Sequence, residues 1–173
     1  MLSIENVNLL DYSDFKDKFG SVIEHCPFVA AGVWSSHPFL NRESLHSAFG
    51  TFLGALNKTT KLGVVRCYPD LAGKLAAEKL LSDESAREQK SAGLLSLSVD
   101  EKRSLTELNQ TYKEKFQFPF ILCARENKKE SIFREIRKRV NNDVESELEN
   151  ALAEVCKIAW YRIADLVKDT SNL

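Results

Sequence analysis

Three short stretches of this sequence combine residue types that could do chemistry. Arg66-Cys67-Tyr68-Pro69-Asp70-Leu71-Ala72-Gly73 is a polar turn between apolar segments. Glu84-Ser85-x-x-Glu88-Gln89 places Ser85, Glu88 and Gln89 at i, i+3 and i+4, so on a helix they share one face. Phe118-Pro119-Phe120-Ile121-Leu122-Cys123-Ala124-Arg125 reads as buried and extended, with backbone amides and carbonyls not all committed to a helix. Each stretch also fits a plainer account: a helix cap, a surface helix face and a core segment.

Other chemistry finds little support. The chain has no GxGxxG, Walker loop, GxSxG or HExxH. Cys26, Cys67, Cys123 and Cys156 are too far apart in sequence for a zinc knuckle or a CxxC pair, so buried free thiols are expected. Cys67 adjoins the polar turn but has no adjacent base to activate it, and reads as a buried thiol. His25, His37 and His46 match no metal-site template, and no metal is expected; His25 and His37 read as cap or surface residues. Arg134, Arg137, Lys138 and Arg139 could touch phosphates, but Glu130 and Glu135 interleave with them, the pattern of a solvated helix face. Trp34 and Trp160 read as core.

With 24 Lys+Arg against 25 Asp+Glu the net charge is −1, which gives no global attraction for nucleic acid or an anionic membrane. No apolar run approaches the roughly 20 residues that span a bilayer. The first ten residues lack a basic-then-apolar signal pattern. The expectation is a soluble intracellular protein, with residues 1–173 forming a single helical domain.

The elements that must position these stretches follow from periodicity and punctuation. Asp11 and Ser13 precede a helix with Phe15, Phe19, Val22 and Ile23. Pro27 opens a short helix that ends before Pro38. Asn41 caps one carrying Leu45, Phe49, Phe52, Leu53 and Leu56. Pro69 forbids a continuous helix through the polar turn, and Asp70 could cap one over Leu71 to Leu80. Ser82 to Ser85 begins the helix that carries Glu88 and Gln89, which Gly93 interrupts or packs closely. Ser98 with Glu101 is a capping box for a helix running to about Phe116. For Phe118 to Ala124 a buried loop or an irregular helix start is favoured over a lone strand. Lys129 to Val140 is a basic amphipathic helix, and Leu148, Leu152, Val155, Ala159, Ile163 and Leu166 mark a last helix from about Val144 to Val167. The fold class is all-α, one compact domain of about seven or eight helices.

Taken in order, the motifs resemble those of the 2-oxo-4-hydroxy-4-carboxy-5-ureidoimidazoline (OHCU) decarboxylases of urate breakdown. The likeness runs from Cys26-Pro27, Ala30-Ala31, Val33-Trp34-Ser35 and Pro38-Phe39 through Pro69-Asp70-Leu71-Ala72-Gly73, Glu84-Ser85, Glu88-Gln89 and Ala92-Gly93-Leu94. It continues with Leu108-Asn109, Tyr112, Phe116 and Phe118-Pro119-Phe120, and closes on Lys157-Ile158 and Arg162. The resemblance implies an all-helical homodimer that needs no cofactor, takes OHCU as substrate and releases (S)-allantoin. It implies Glu88 as the catalytic carboxylate, Ser85 and Gln89 as ligand contacts, and Arg162 as substrate anchor. Pro69 would pack beside a ring held by backbone groups of Phe120, Ile121, Leu122, Cys123 and Ala124.

The resemblance also implies a catalytic histidine at position 68, where this chain carries Tyr68. Histidine titrates near neutrality and can both take and give a proton. Tyrosine, with a reference pKa near 10, costs about 4 kcal/mol to ionise at pH 7. It can donate a hydrogen bond but is a poor base. Two readings follow: a decarboxylase with impaired or altered turnover, or a catalytically silent relative that binds purine-degradation metabolites or acts as a helical interaction protein. Ser171-Asn172-Leu173 differs by one residue from the S-K-L peroxisomal address, so a peroxisomal protein, otherwise a cytoplasmic one, is expected.

Overall fold

A computed structural model describes residues 1–73 and 80–168. The described residues form nine α-helices and no strand, the all-α class expected. These are α1 (Ile4–Asn8), α2 (Tyr12–Phe19), α3 (Pro27–Val33), α4 (Arg42–Ala55), α5 (Lys58–Arg66), α6 (Asp83–Ser91), α7 (Val99–Phe116), α8 (Lys129–Arg139) and α9 (Val144–Leu166). Short 3₁₀ turns at Trp34–Ser36, Leu94–Ser96 and Ala124–Glu126 link them. Eight of the nine have at least seven residues; of these, α5 was not expected from periodicity, and α1 is a five-residue addition. The greater part of the predicted helix over Leu71 to Leu80, and Ser171-Asn172-Leu173, lie outside the described residues.

The helix starts follow local chemistry. Asp11 Oδ1 accepts from Asp14 N at 2.8 Å to begin α2. Asn41 and Ser44 form a reciprocal capping box on α4, and Ser98 and Glu101 another on α7. Pro27 occupies the first turn of α3. The reading of 12–23 as one helix is corrected: α2 stops at Phe19, and Val22 and Ile23 are buried from the turn that follows. Helix α5 went unassigned because Thr59, Thr60 and Gly63 blur its period, although Asn57 caps it through Thr60 N at 2.9 Å.

The chain divides into two compact units. One comprises Met1–Cys67 with Cys156–Leu173, the other Tyr68–Val155. In the first, α3 packs on α2 and α4 around Phe15, Phe19, Val29, Val33, Leu45 and Phe49, all buried. Leu2 N donates to Leu166 O at 2.7 Å and Lys168 N to Leu2 O at 2.8 Å, tying both ends of this unit together. His37 stacks on Trp34, and Arg42 lies over the half-buried Trp160 at 4.7 Å. In the second unit α8 packs on α7, with Leu105, Tyr112, Phe116, Ile132, Ile136, Leu148 and Leu152 buried.

Cys26, Cys67, Cys123 and Cys156 are all free thiols; Cys26 and Cys123 are buried as expected, whereas Cys67 and Cys156 are half-buried. Burial, reinforced by a hydrogen bond with Cys67, pushes the Cys26 thiol up to about 12, and burial pushes Cys123 up to about 11. Against an ordinary value near 8.5, a raised value leaves both as inert S–H groups at neutral pH. Iodoacetamide at pH 7.5 is therefore expected to leave Cys26 and Cys123 unmodified in the native protein and to reach them after unfolding, as read by mass spectrometry. Rapid native labelling of Cys26 would contradict its burial.

A close contact sets the spacing of α3 and α4. A Cβ built on Gly32 would fall 2.1 Å from Phe52 Cε2. Alanine at position 32 gains about 1 kcal/mol of helix propensity but meets an overpacking cost of about 1–3 kcal/mol. Gly32→Ala is expected to lower stability in urea denaturation, and Phe52→Leu to restore it. A Gly32→Ala protein as stable as the parent would show that the Phe52 ring yields without cost.

Candidate active site

Helix α6 is held inward by polar residues. Of Asp83–Ser91 only Ala86 is apolar, and the three buried side chains are Ser85, Glu88 and Gln89, at 4, 7 and 2% exposure. An apolar core gives no reason to bury this face, since each such group costs free energy unless it meets a polar partner. Ser82 caps the helix by accepting from Ser85 N at 3.2 Å, with Asp83 and Glu84 in the first turn where the helix dipole favours them. Gly93, at φ +80°, ends it; its surroundings are open, so it interrupts the helix and is not a close-packing site.

The turn after Tyr68-Pro69 belongs to the same unit and is bound from two helices. Gln89 Oε1 accepts from Ala72 N at 2.8 Å, and Asn109 Nδ2 on α7 donates to Leu71 O at 3.0 Å. Lys113 Nζ pairs with Asp70 Oδ2 at 3.1 Å. These contacts hold Ala72 at φ +49°, a left-handed conformation that an alanine adopts only when its surroundings impose it. Tyr68 itself is 7% exposed. The sequence reading treats Gln89 as a ligand contact; its carboxamide oxygen is in fact occupied by the turn.

Phe118 to Ala124 is a buried irregular segment without a strand ladder, as favoured from the sequence, and the 3₁₀ turn that continues it packs on α6. Two of its backbone groups are taken by buried charges: Cys123 N donates to Glu154 Oε2 at 2.7 Å, and Ile121 O accepts from Arg139 Nη1 at 2.8 Å. Arg139 corrects the reading of 134–139 as a solvated basic face. Arg134, Arg137 and Lys138 are exposed, but Arg139 is turned inward at 7% exposure and paired with Glu147. Interleaved acidic residues could not distinguish it from its neighbours, because the partner lies on another helix.

The structure thus gathers Ser85, Glu88, Gln89, the 70–73 turn and the 120–124 segment within the second unit. Arg162 belongs to the first. There it is 3% exposed, paired with Glu24 Oε2 at 2.8 Å and donating to Ser21 O at 3.0 Å. The sequence reading missed Glu24, although a carboxylate directly after Val22-Ile23 in an apolar run is a signal for it. A cavity of about 400 Å³ between the 70–73 turn and α7 is lined by Asp70, Lys102, Asn109 and Lys113, and by none of Ser85, Glu88 or Gln89. Among the described residues no group of His, Cys, Asp and Glu could hold a metal ion.

Breaking a buried ion pair from one side costs about 3–5 kcal/mol. Arg162→Met, which leaves Glu24 buried without its guanidinium, is expected to lower stability by that amount in chemical denaturation. A loss below about 1 kcal/mol would show that the pair is not desolvated as its burial indicates.

Comparison with known proteins places this arrangement in a family. A family model described as OHCU decarboxylase matches residues 8–164. The chain is similar to the 2-oxo-4-hydroxy-4-carboxy-5-ureidoimidazoline decarboxylase of Mus musculus, 43% identical over 96% of this chain and 93% of the mouse protein. It is similar to the protein of that name from Haloferax volcanii, 35% identical over 95% of each. A solved OHCU decarboxylase, crystallised in the presence of (S)-allantoin, superposes with a TM-score of 0.68 at 25% identity, covering 91% of this chain and 98% of that one. An (S)-allantoin synthase shares the fold, with a TM-score of 0.77 at 22% identity over 96% of this chain and 54% of the other. With the family model matched over most of its length and relatives this similar from end to end, the chain belongs to the OHCU decarboxylase family.

Proposed function

We propose that this protein decarboxylates OHCU to (S)-allantoin, with Glu88 as its principal proton-handling group. The observation that carries the reading is the wholly polar buried face of α6, which sets a carboxylate beside a hydroxyl and a carboxamide in the interior of a chain whose family is named for this reaction.

The chemistry needs no electron sink beyond the substrate. As the C4–carboxylate bond breaks and carbon dioxide leaves, its electron pair moves into the adjacent C=N, whose nitrogen takes up a proton. The C4 hydroxyl then loses its proton to become a carbonyl, while the neighbouring ring carbon gains one. Glu88 is suited to accept the hydroxyl proton, because a carboxylate held in a protein interior interacts more strongly with a nearby donor than it does in water. Ser85 and the Gln89 Nε2 end are suited to orient the ring's polar atoms. Leu122 and the other unanchored peptide groups of 120–124 supply backbone donors and acceptors.

Tyr68 supports a second reading, in which the protein binds the substrate class and turns it over poorly. A phenol donates a hydrogen bond but is a poor base, so removal of the C4 hydroxyl proton would rest on Glu88 alone. The resemblance further supports a homodimer, and a solution mass near 19.6 kDa rather than twice that would end that reading.

The test is turnover of freshly generated OHCU, followed by the circular dichroism of (S)-allantoin against the spontaneous reaction. Tyr68→His is expected to raise kcat by about 10²–10⁴, the usual contribution of a positioned acid–base group, and Glu88→Gln to lower it by a similar factor. If parent and Tyr68→His are both silent while folded, the decarboxylase reading fails.

A further inference from the structure

The 118–124 segment poses a problem that α6 does not solve. Its residues are all buried, and with no ladder to satisfy them its peptide groups need partners from side chains. Two partners are charged and buried. Arg139 Nη1 reaches Ile121 O at 2.8 Å, while its guanidinium lies 4.7 Å over the Phe120 ring. Glu154 Oε2, from α9, takes the Cys123 N–H at 2.7 Å. The spacing of two residues puts both anchored groups on one edge of an extended chain.

Arg139 is in turn fixed. Its Nε and Nη2 both meet Glu147 Oε1, at 2.8 and 2.6 Å, and the same oxygen accepts from Tyr112 Oη. Glu147 Oε2 accepts from Asn142 Nδ2 at 2.7 Å and Asn150 Nδ2 at 3.2 Å. Glu147 is wholly buried, and Arg139 and Glu154 are less than one-tenth exposed. Buried ion pairs of this kind are seldom better for stability than well-packed apolar residues of the same volume. A fork of five N–H donors does supply a fixed direction for each hydrogen bond.

We propose that Arg139, oriented by Glu147, and Glu154 are positioning residues for the reaction. They fix one edge of the 120–124 segment and so set the register of the backbone groups that meet the substrate. The inference rests on the assignment of α6 and this segment to the site. Its signature is weakened ligand binding in a protein whose fold is intact.

The test compares the full-length parent with Glu154→Ala, Glu154→Gln, Arg139→Lys and Glu88→Gln. The readouts are KM and kcat for OHCU, the Kd of (S)-allantoin by calorimetry, and Tm. Glu154→Gln retains an oxygen for the Cys123 N–H and is expected to stay within about threefold of the parent in KM and Kd. Glu154→Ala removes that oxygen and is expected to raise both by about tenfold, the effect of one hydrogen bond to a charged group. Arg139→Lys keeps the charge for Glu147 but loses the fork that reaches Ile121, and is expected to raise KM more than it lowers kcat. It also serves as the second probe should Glu154→Ala fail to fold. Variants that lower Tm while leaving KM and Kd at parental values would overturn the proposal. Glu88→Gln separates the two levels: if it changes neither kcat nor Kd, or if the parent does not bind (S)-allantoin, the site assignment fails and takes the positioning role with it.

Discussion

A buried stretch of backbone that is neither helix nor sheet must be satisfied one group at a time, and the second unit is organised around that requirement. Where a ladder would pair peptide groups with each other, Phe118 to Ala124 borrows Arg139 and Glu154 from α8 and α9. Those charges then impose their own demands. Arg139 needs Glu147, and Glu147 draws in Tyr112, Asn142 and Asn150 until every strong acceptor position is used. The interior is thus a chain of obligations, each raised by satisfying the last. The polar face of α6 is a second instance. Gln89 binds the turn at Ala72, and the turn meets α7 through Asn109 and Lys113.

This economy of partners bears on the chemistry. Gln89 Oε1, Ile121 O and Cys123 N are each engaged by the protein, so none of these three atoms is spare for a substrate.

Much of this was legible in the amino-acid order. The caps at Asp11, Asn41, Ser82 and Ser98 each appear where a small polar side chain precedes an amphipathic period, since capping is a local event. The i, i+3, i+4 set on α6 was equally local, as was the extended character of 118–124. What escaped was whatever depends on a distant partner. Arg139 resembles Arg137 and Lys138, because its ion-pair partner Glu147 lies eight residues on, across the turn to another helix. Glu24 and Glu154 were passed over for the same reason: a buried carboxylate is recognised by its partner, and those partners lie 138 and 31 positions away. Helix α5 was lost to weak propensity, with β-branched residues and Gly63 inside a span that only its cap and its buried Val64 and Val65 define. The family resemblance supplied the roles that spacing alone could not.

The sharing of a single oxygen has a consequence for how this protein can vary. Glu147 Oε1 accepts from Arg139 Nε and from the Tyr112 hydroxyl, with Arg139 Nη2 in ion-pair contact at 2.6 Å. Three residues that meet at one atom do not make separable contributions: whichever is lost first strips the others of their purpose, and the second loss adds little. Positions 112, 139 and 147 therefore form one epistatic unit, in which the effect of a change at any one depends on the residues at the other two.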